Sequence, residues 1–527
     1  MARLAARRIS ALAAALLWIA APAYCAQAKA DAERAAQGEA DSLAAGRRYL
    51  EAEDLERAAA SFRAALDRNP ASAEALYLLG VVAERRRELP RAAALFEEAI
   101  RYAPGMAEAH DRHGFVLGQM GDTAAALGEF ARAVQLAPAL FDAQYHLGAT
   151  RWWTKDFAEA LPALRAAVKL QPGHAEARYY LGLTLEALHQ PEPALLSLRE
   201  AVRLNPRLAP AQARLGLALQ ARGDLEQALV HLRAAVALDA SAAEWQNSLA
   251  LALSQSGRGD ESVAILKALV SARPEYVPAR LNLGTALMQQ GNLAEAVTAY
   301  RALLERDPAN AEAFYNLGVA LKQMDEFTEA ETQLRKAVEL DPALPEAPFT
   351  LGVVLWQTGR PADAVQQFRE SIRRKPDYAQ AHYMLGTILK QQGAAADALA
   401  EFQTALKYDP TSAEAHLSLG QALEQAGQGA AGAAELAEAE RLNRQAAAAQ
   451  ASTFAVSVGK AKLESGDYAG AIRQFREAIR LAADNPQAHY HLALALQHSG
   501  ASAEANIHFA EAQRLAPNLR PPDRDRP

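Results

Sequence analysis

The chain has 527 residues, 51% hydrophobic and 22% charged, enough apolar material to bury extensive cores and too much for a disordered polyelectrolyte. Its 55 basic and 62 acidic side chains leave a formal charge of −7, which offers no cationic excess to a phosphate backbone and excludes nucleic acid as an expected partner. A single cysteine excludes an internal disulfide and a thiolate metal site, and a mean hydropathy of −0.14 excludes a polytopic membrane protein.

Residues 1–28 read as a signal peptide. Arg3, Arg7 and Arg8 precede an uncharged run from Ile9 to Ala21, which is too short for a comfortable membrane span. Ala26-Gln27-Ala28 supplies small residues for cleavage before Lys29, and Ala23-Tyr24-Cys25 is a second candidate. Either cut removes Cys25 and leaves an acidic, cysteine-free chain suited to an oxidising compartment. Cys25 also stands where a bacterial lipoprotein signal places its cysteine, but Tyr24 precedes it where a small residue is wanted. The expectation is therefore export, to the periplasm, with lipid anchoring at Cys25 as the second reading. A membrane enters only if Cys25 is lipidated or the signal is retained.

After a lead-in at 29–38, the chain repeats every 34 residues from Glu39. Glycine recurs at Gly46, Gly80, Gly114, Gly148, Gly182 and Gly216, and proline at Pro70, Pro104, Pro138, Pro172 and Pro206. With Glu39 as position 1, position 8 is glycine in repeats 1–6 and 8–13 and alanine in the other two. Position 20 is small throughout, position 24 is large and apolar, position 27 is mostly alanine and position 32 mostly proline. Apolar residues fall at helical spacing over positions 1–14 and 16–30, and position 15 is often a glycine that ends the first helix. Each repeat is therefore a helical hairpin. Small residues at 8 and 20 let its helices approach, the side chain at 24 fills the gap, and proline at 32 stops the second helix. A single hairpin cannot bury both faces, so neighbours must stack.

This pattern resembles the tetratricopeptide repeat. Twelve repeats run from 39 to 446 without insertion, and two more occupy 452–519. The resemblance implies an all-α fold, an α-α superhelix (solenoid) of about fourteen 34-residue hairpins, whose first helices line a concave groove that binds a protein or peptide. The insertion at 447–451 interrupts the register. Repeat 12 already departs from the pattern with Gly432 at position 20 and Arg444 in place of proline, and nothing between Ala433 and Val458 is glycine or proline. The flanking helices are therefore expected to fuse, and five extra residues would rotate the last two repeats by about 140° away from the main groove. The tail at 520–527 reads as disordered.

No stretch is left over for a catalytic domain, so neither enzymatic activity nor a cofactor is expected. His110, His382, His416 and His489 all fall at position 4, where helix packing explains them. His110 with His113, and His489 with His491, lack further ligands at metal-binding spacing, so no metal is expected.

Recognition is expected on positions 2, 5, 6, 9, 12 and 13 of the first helices. Position 13 is glutamine in six successive repeats, Gln255, Gln289, Gln323, Gln357, Gln391 and Gln425. Such amides can pair with a peptide backbone, although glutamine is also a good solvated helix former. Position 5 carries aromatics that include Tyr145, Tyr179, Tyr315 and Tyr383, where partial packing against the next hairpin competes with ligand contact. Trp152 and Trp153 at positions 12 and 13 are expected to be exposed anchors, with Arg151 at position 11 as the feature that would turn one inward. Acidic side chains at position 2 complement the helix dipole and make one groove edge negative. The lysine and asparagine that clamp a terminal carboxylate in chaperone-binding members are missing from positions 5 and 9. The position-6 asparagine ladder of O-linked N-acetylglucosamine transferase survives only as Asn282 and Asn316. The reading is an exported, non-enzymatic scaffold. Its alternative is a repeat subunit of an envelope machine (assembly, secretion, polysaccharide or protein glycosylation) whose enzyme is a separate chain.

Overall fold

The computed structural model describes residues 33–516 together with Lys29 and Leu519. The signal-peptide reading of residues 1–28, Cys25 included, and the tail at 520–527 lie outside the described residues. Among the described residues there are 27 helices and no strand. The first helix, described over 33–51, already covers the six residues ahead of the repeat register. The others follow in pairs, such as Ala311–Gln323 with Phe327–Leu340, and within each unit successive pairs pack together. No helix among them is long and apolar enough to cross a membrane. The chain divides into two compact units, Met1–Ala218 and Leu219–Pro527.

The small and large positions meet as the spacing predicts. In repeat 8, Gly284 lies on the ring of Tyr300, which is fully buried, with its hydroxyl 3.1 Å from Thr285 Oγ1. A Cβ placed on Gly284 would come within 2.5 Å of that ring. Replacing Gly284 with alanine is therefore expected to cost about 1–3 kcal/mol, because the packed ring cannot move aside without strain. A lowered denaturation midpoint checks this against Gly105→Ala, where a Cβ meets nothing within 4 Å. An equal loss in the two variants would show that the close approach is not what matters.

Each hairpin turns through one residue of positive φ at position 15. Nine are glycines, from Gly121 (φ 90°) to Gly500 (φ 86°), and the other five are Glu53, Arg87, Lys155, His189 and Asp325, with φ between 56° and 64°. The turn closes in the same way in either case. In repeat 3 the Asp122 amide donates to the Leu117 carbonyl (3.0 Å), and the Asp122 side chain then caps the next helix by accepting from the Ala125 amide. Turn geometry therefore belongs to the repeat and not to glycine alone.

Second helices of neighbouring repeats are cross-linked on their outer face by a recurring ion pair 28 residues apart: Arg233 with Glu261, Lys267 with Glu295, Arg301 with Glu329, and Arg476 with Glu504, each at 2.7 Å. These pairs are solvent-exposed, so each contributes at most about 1 kcal/mol. Burial carries the stack. In the second unit one core runs from Ala243 to Leu423, and a separate one from Ala455 to Ala512.

Between those cores the second helix of repeat 12 continues without a break into the first helix of repeat 13, giving one helix, Gly429–Glu464, of 36 residues. Its middle, 443–451, is almost wholly exposed. Phe454, at a position buried as alanine in most other repeats, is 72% exposed, because the helix that would cover it has become its own extension.

Candidate functional site

The first helices present their stripe in register, and side chains of successive repeats meet across it by fixed rules. Position 5 reaches position 6 of the next repeat: Asp111 Oδ1 lies 2.9 Å from His146 Nδ1, and Asn282 Nδ2 donates to Asn247 Oδ1 at 2.9 Å. Position 12 reaches position 6 or 13 of the next repeat. In the first unit the Arg112 and Arg214 guanidiniums donate to Glu84 (3.2 Å) and Glu186 (2.5 Å). In the second unit, Gln220 Nε2 donates to Gln255 Oε1 (2.9 Å) and Ser254 Oγ to Gln289 Oε1 (2.5 Å).

All six glutamines of the ladder are exposed. Gln255 and Gln289 use their carbonyl oxygens sideways, so only their amide N–H groups remain fully available to a ligand. Asn282 is likewise tied to Asn247, while Asn316 is half-buried on the same face. Tyr145, Tyr179, Tyr315 and Tyr383 are half-buried between hairpins. Burial, with smaller contributions from Tyr180 and Glu176, pushes the Tyr145 hydroxyl up to about 12. Tyr179 is raised mainly by burial as well, and so is Tyr315, where a hydrogen bond with Thr350 opposes the shift. The phenols of Tyr145, Tyr179 and Tyr315 remain neutral hydrogen-bonding groups.

The tryptophan pair is split, which corrects the expectation that both are exposed. Trp153 is 68% exposed. Trp152 is half-buried against Ala160, Leu164, Leu181 and Leu185 of its own and the following hairpin. Arg151 donates to the Glu159 carbonyl (2.9 Å) and carboxylate (3.1 Å) within the hairpin. Position 12 simply faces the next repeat, where Trp152 packs edge-on to Tyr180 (centroids 5.6 Å, 66°) and to Trp153 (5.1 Å, 83°). Trp153 Nε1 donates to Tyr180 Oη at 3.3 Å, so an exposed indole stands on a braced aromatic base. Tyr180, at position 6, is a stripe residue that the sequence reading overlooked. Only the 27-residue step from Trp153 could have pointed to it.

The position-4 histidines do more than pack. His110 Nδ1 lies 2.6 Å from Glu129 Oε2 and its Nε2 lies 3.2 Å from the Pro104 carbonyl oxygen; His382 and His416 repeat this with Glu401 and Pro376, and with Glu435 and Pro410. In five of the other repeats Gln144, Gln212, Gln246, Arg178 and Arg280 donate to the same carbonyl six residues upstream, while Ser42, Leu76, Phe314, Pro348 and Ala455 hold position 4 in the remaining five. His113 turns toward Glu129 as well, at 3.4 Å. Burial pushes the Glu129 carboxyl up, but His113 and His110 outweigh it and hold it below the usual range. His489 pairs with His508 (Nδ1 to Nδ1, 3.0 Å) and not with His491. No group of three ligands able to hold a metal occurs among the described residues.

Stacked two-helix repeats that offer a periodic side-chain stripe define a helical repeat scaffold for protein interaction. The chain belongs to the tetratricopeptide repeat family: that family's sequence profile matches residues 43–107, 154–209, 213–277, 281–345 and 349–405, and a second profile of the same repeat matches 386–427 and 459–500. A search of curated proteins finds no match. Among solved structures, YrrB, described as a protein of this family with an unusual peptide-binding site, is 28% identical over 34% of this chain and 88% of its own (TM-score 0.29). MamA from Desulfovibrio magneticus RS-1 is 28% identical over 32% and 96% (TM-score 0.30). A chain of the Cut9–Hcn1 assembly of the APC/C is 16% identical over 91% and 94% (TM-score 0.31).

Proposed function

We propose that this protein is an exported, non-catalytic scaffold that holds a protein or peptide partner along its first helices, with Trp153 as an anchor. The observation that carries the reading is Trp153 itself. A large aromatic side chain left 68% exposed, yet fixed in place by Tyr180 and Trp152, gives a partner contact area at little cost in ordering. The charge-free segment Ile9–Ala21 behind three arginines supports export. Replacing Trp153 with alanine is expected to weaken partner binding by about 2 kcal/mol or more and to leave melting unchanged. Trp152→Ala is expected instead to cost about 2 kcal/mol of stability, less than the roughly 3–5 kcal/mol of a fully buried tryptophan. Both variants are tested by capture from envelope extracts and by thermal melts. Undiminished capture by the Trp153 variant would end the anchor assignment. Retention in the cytoplasm of cells expressing the full chain would end the export assignment.

A further inference from the structure

In the first unit the lateral contacts between positions 12 and 6 are closed by opposite charges, Glu84 with Arg112 and Glu186 with Arg214, or by the aromatic pair Trp152 and Tyr180. In the second unit the same row is open. Its position-12 residues run Met288, Lys322, Trp356, Lys390 and Glu424, and the position-6 residues that follow them are Asn316, Thr350, Met384 and Ser418. Neither lysine forms an ion pair among the described residues; Lys390 Nζ donates only to Gln421 Oε1, at 3.2 Å. Trp356, half-buried against the core, stands in the repeat between them, and Gln323, Gln357 and Gln391 stand exposed beside all three. Two cations without carboxylates, separated by an aromatic side chain and flanked by amides, complement an acidic chain. This inference rests on the scaffold reading above and deepens it.

We propose that repeats 9–11 bind an extended peptide that carries two carboxylates six residues apart, one on Lys322 and one on Lys390, with an apolar side chain midway on Trp356. The spacing follows from geometry. Packed helices stand about 8–10 Å apart, so the two lysines, two repeats apart, are separated by about 20 Å. A polyproline II chain rises about 3.1 Å per residue with three residues per turn, which puts residues i, i+3 and i+6 on one face and advances about one repeat for each step of three. A β-strand also returns i and i+6 to one face. The glutamine amides at position 13 then meet the unpaired backbone groups of either conformation.

The test uses the full chain and fluorescein-labelled peptides built on Glu-Pro-Pro-Leu-Pro-Pro-Glu, read by anisotropy. At low salt the acidic peptide is expected to bind at least tenfold more tightly than its counterpart with both glutamates replaced by glutamine, and the difference should shrink at high salt. Moving the second glutamate to i+3 should lose the advantage. The double substitution Lys322→Glu and Lys390→Glu should abolish it while circular dichroism and melting stay unchanged, both positions being outside the core. Equal binding of the acidic and amide peptides, an unaffected double variant, or no binding of any probe would each overturn the proposal. So would equally tight binding of a labelled single-stranded oligonucleotide, which would make the lysines general anion sites. Failure here leaves the scaffold reading intact, since that is judged by Trp153 on the other unit.

Discussion

Lowering the pH from 7 to 4 is expected to destabilise repeats 13 and 14 by about 3 kcal/mol through one side chain. His491 lies flat over Phe475 (centroids 5.8 Å, 22°) and edge-on to Tyr490 (5.4 Å, 82°), with its Nδ1 buried and lacking a hydrogen-bond partner. Burial, assisted by the charge of Lys460, pushes its ring down to about 4. The unfolded chain takes up a proton near 6.5, which the folded protein refuses until about 4. Stability is therefore complete above 6.5 and falls as the pH drops through that window. His508, lowered by burial and by its neighbour His489, acts in the same direction. His491→Phe keeps the stacking and removes the titration. The decisive measurement is the difference between the variant and the parent chain in hydrogen exchange over 468–498, corrected for intrinsic rates, at pH 7 and pH 4.5. An identical acid response in both would mean that carboxylates elsewhere are responsible.

Replacing Phe368 with alanine is expected to cost about 3–5 kcal/mol, the range for emptying the site of a fully buried ring. Phe368 fills the space over Gly352, which has no side chain of its own to occupy the gap, and lies 5.7 Å from the Phe349 ring. Each hairpin couples mainly to its neighbours, so the loss should be concentrated in repeats 9–11 and fade along the stack. Phe454→Ala is the control. At 72% exposure the same chemical change should stay within about 0.5 kcal/mol. A comparable loss at both sites, measured by denaturant melts, would contradict the burial pattern on which the fold rests.

The hairpins were legible in the sequence because their determinants are local and periodic. Gly284 and Tyr300 are 16 residues apart in one repeat, and the reversal at position 15 announces itself by glycine in nine repeats. The fused helix was legible too, from the absence of any breaker between Ala433 and Val458. The site was less so. Adjacent residues on a helix point about 100° apart, and whether Trp152 or Trp153 faces the next hairpin depends on how the repeats rotate against each other, which no single repeat encodes. Sideways hydrogen bonds such as Asn282 to Asn247 and Ser254 to Gln289 join residues 35 apart, one more than the repeat length, so comparing equivalent positions does not reveal them. The sequence shows His110 and its counterparts only as packing residues, because their carbonyl partner belongs to the preceding loop and carries no side-chain signature.

That loop carbonyl sets a rule of substitution for nine of the fourteen repeats; in the others Ser42, Leu76, Phe314, Pro348 and Ala455 stand at position 4. It is met by imidazole, amide or guanidinium at position 4, three chemistries with nothing in common except an N–H that reaches back six residues. What each of these copies preserves is therefore a donor of suitable length and not an amino acid. Exchanges among histidine, glutamine and arginine are interchangeable spellings of one instruction. A methionine of similar size at His382 or Gln144 would be a misspelling, because it would leave the oxygen of Pro376 or Pro138 without its partner.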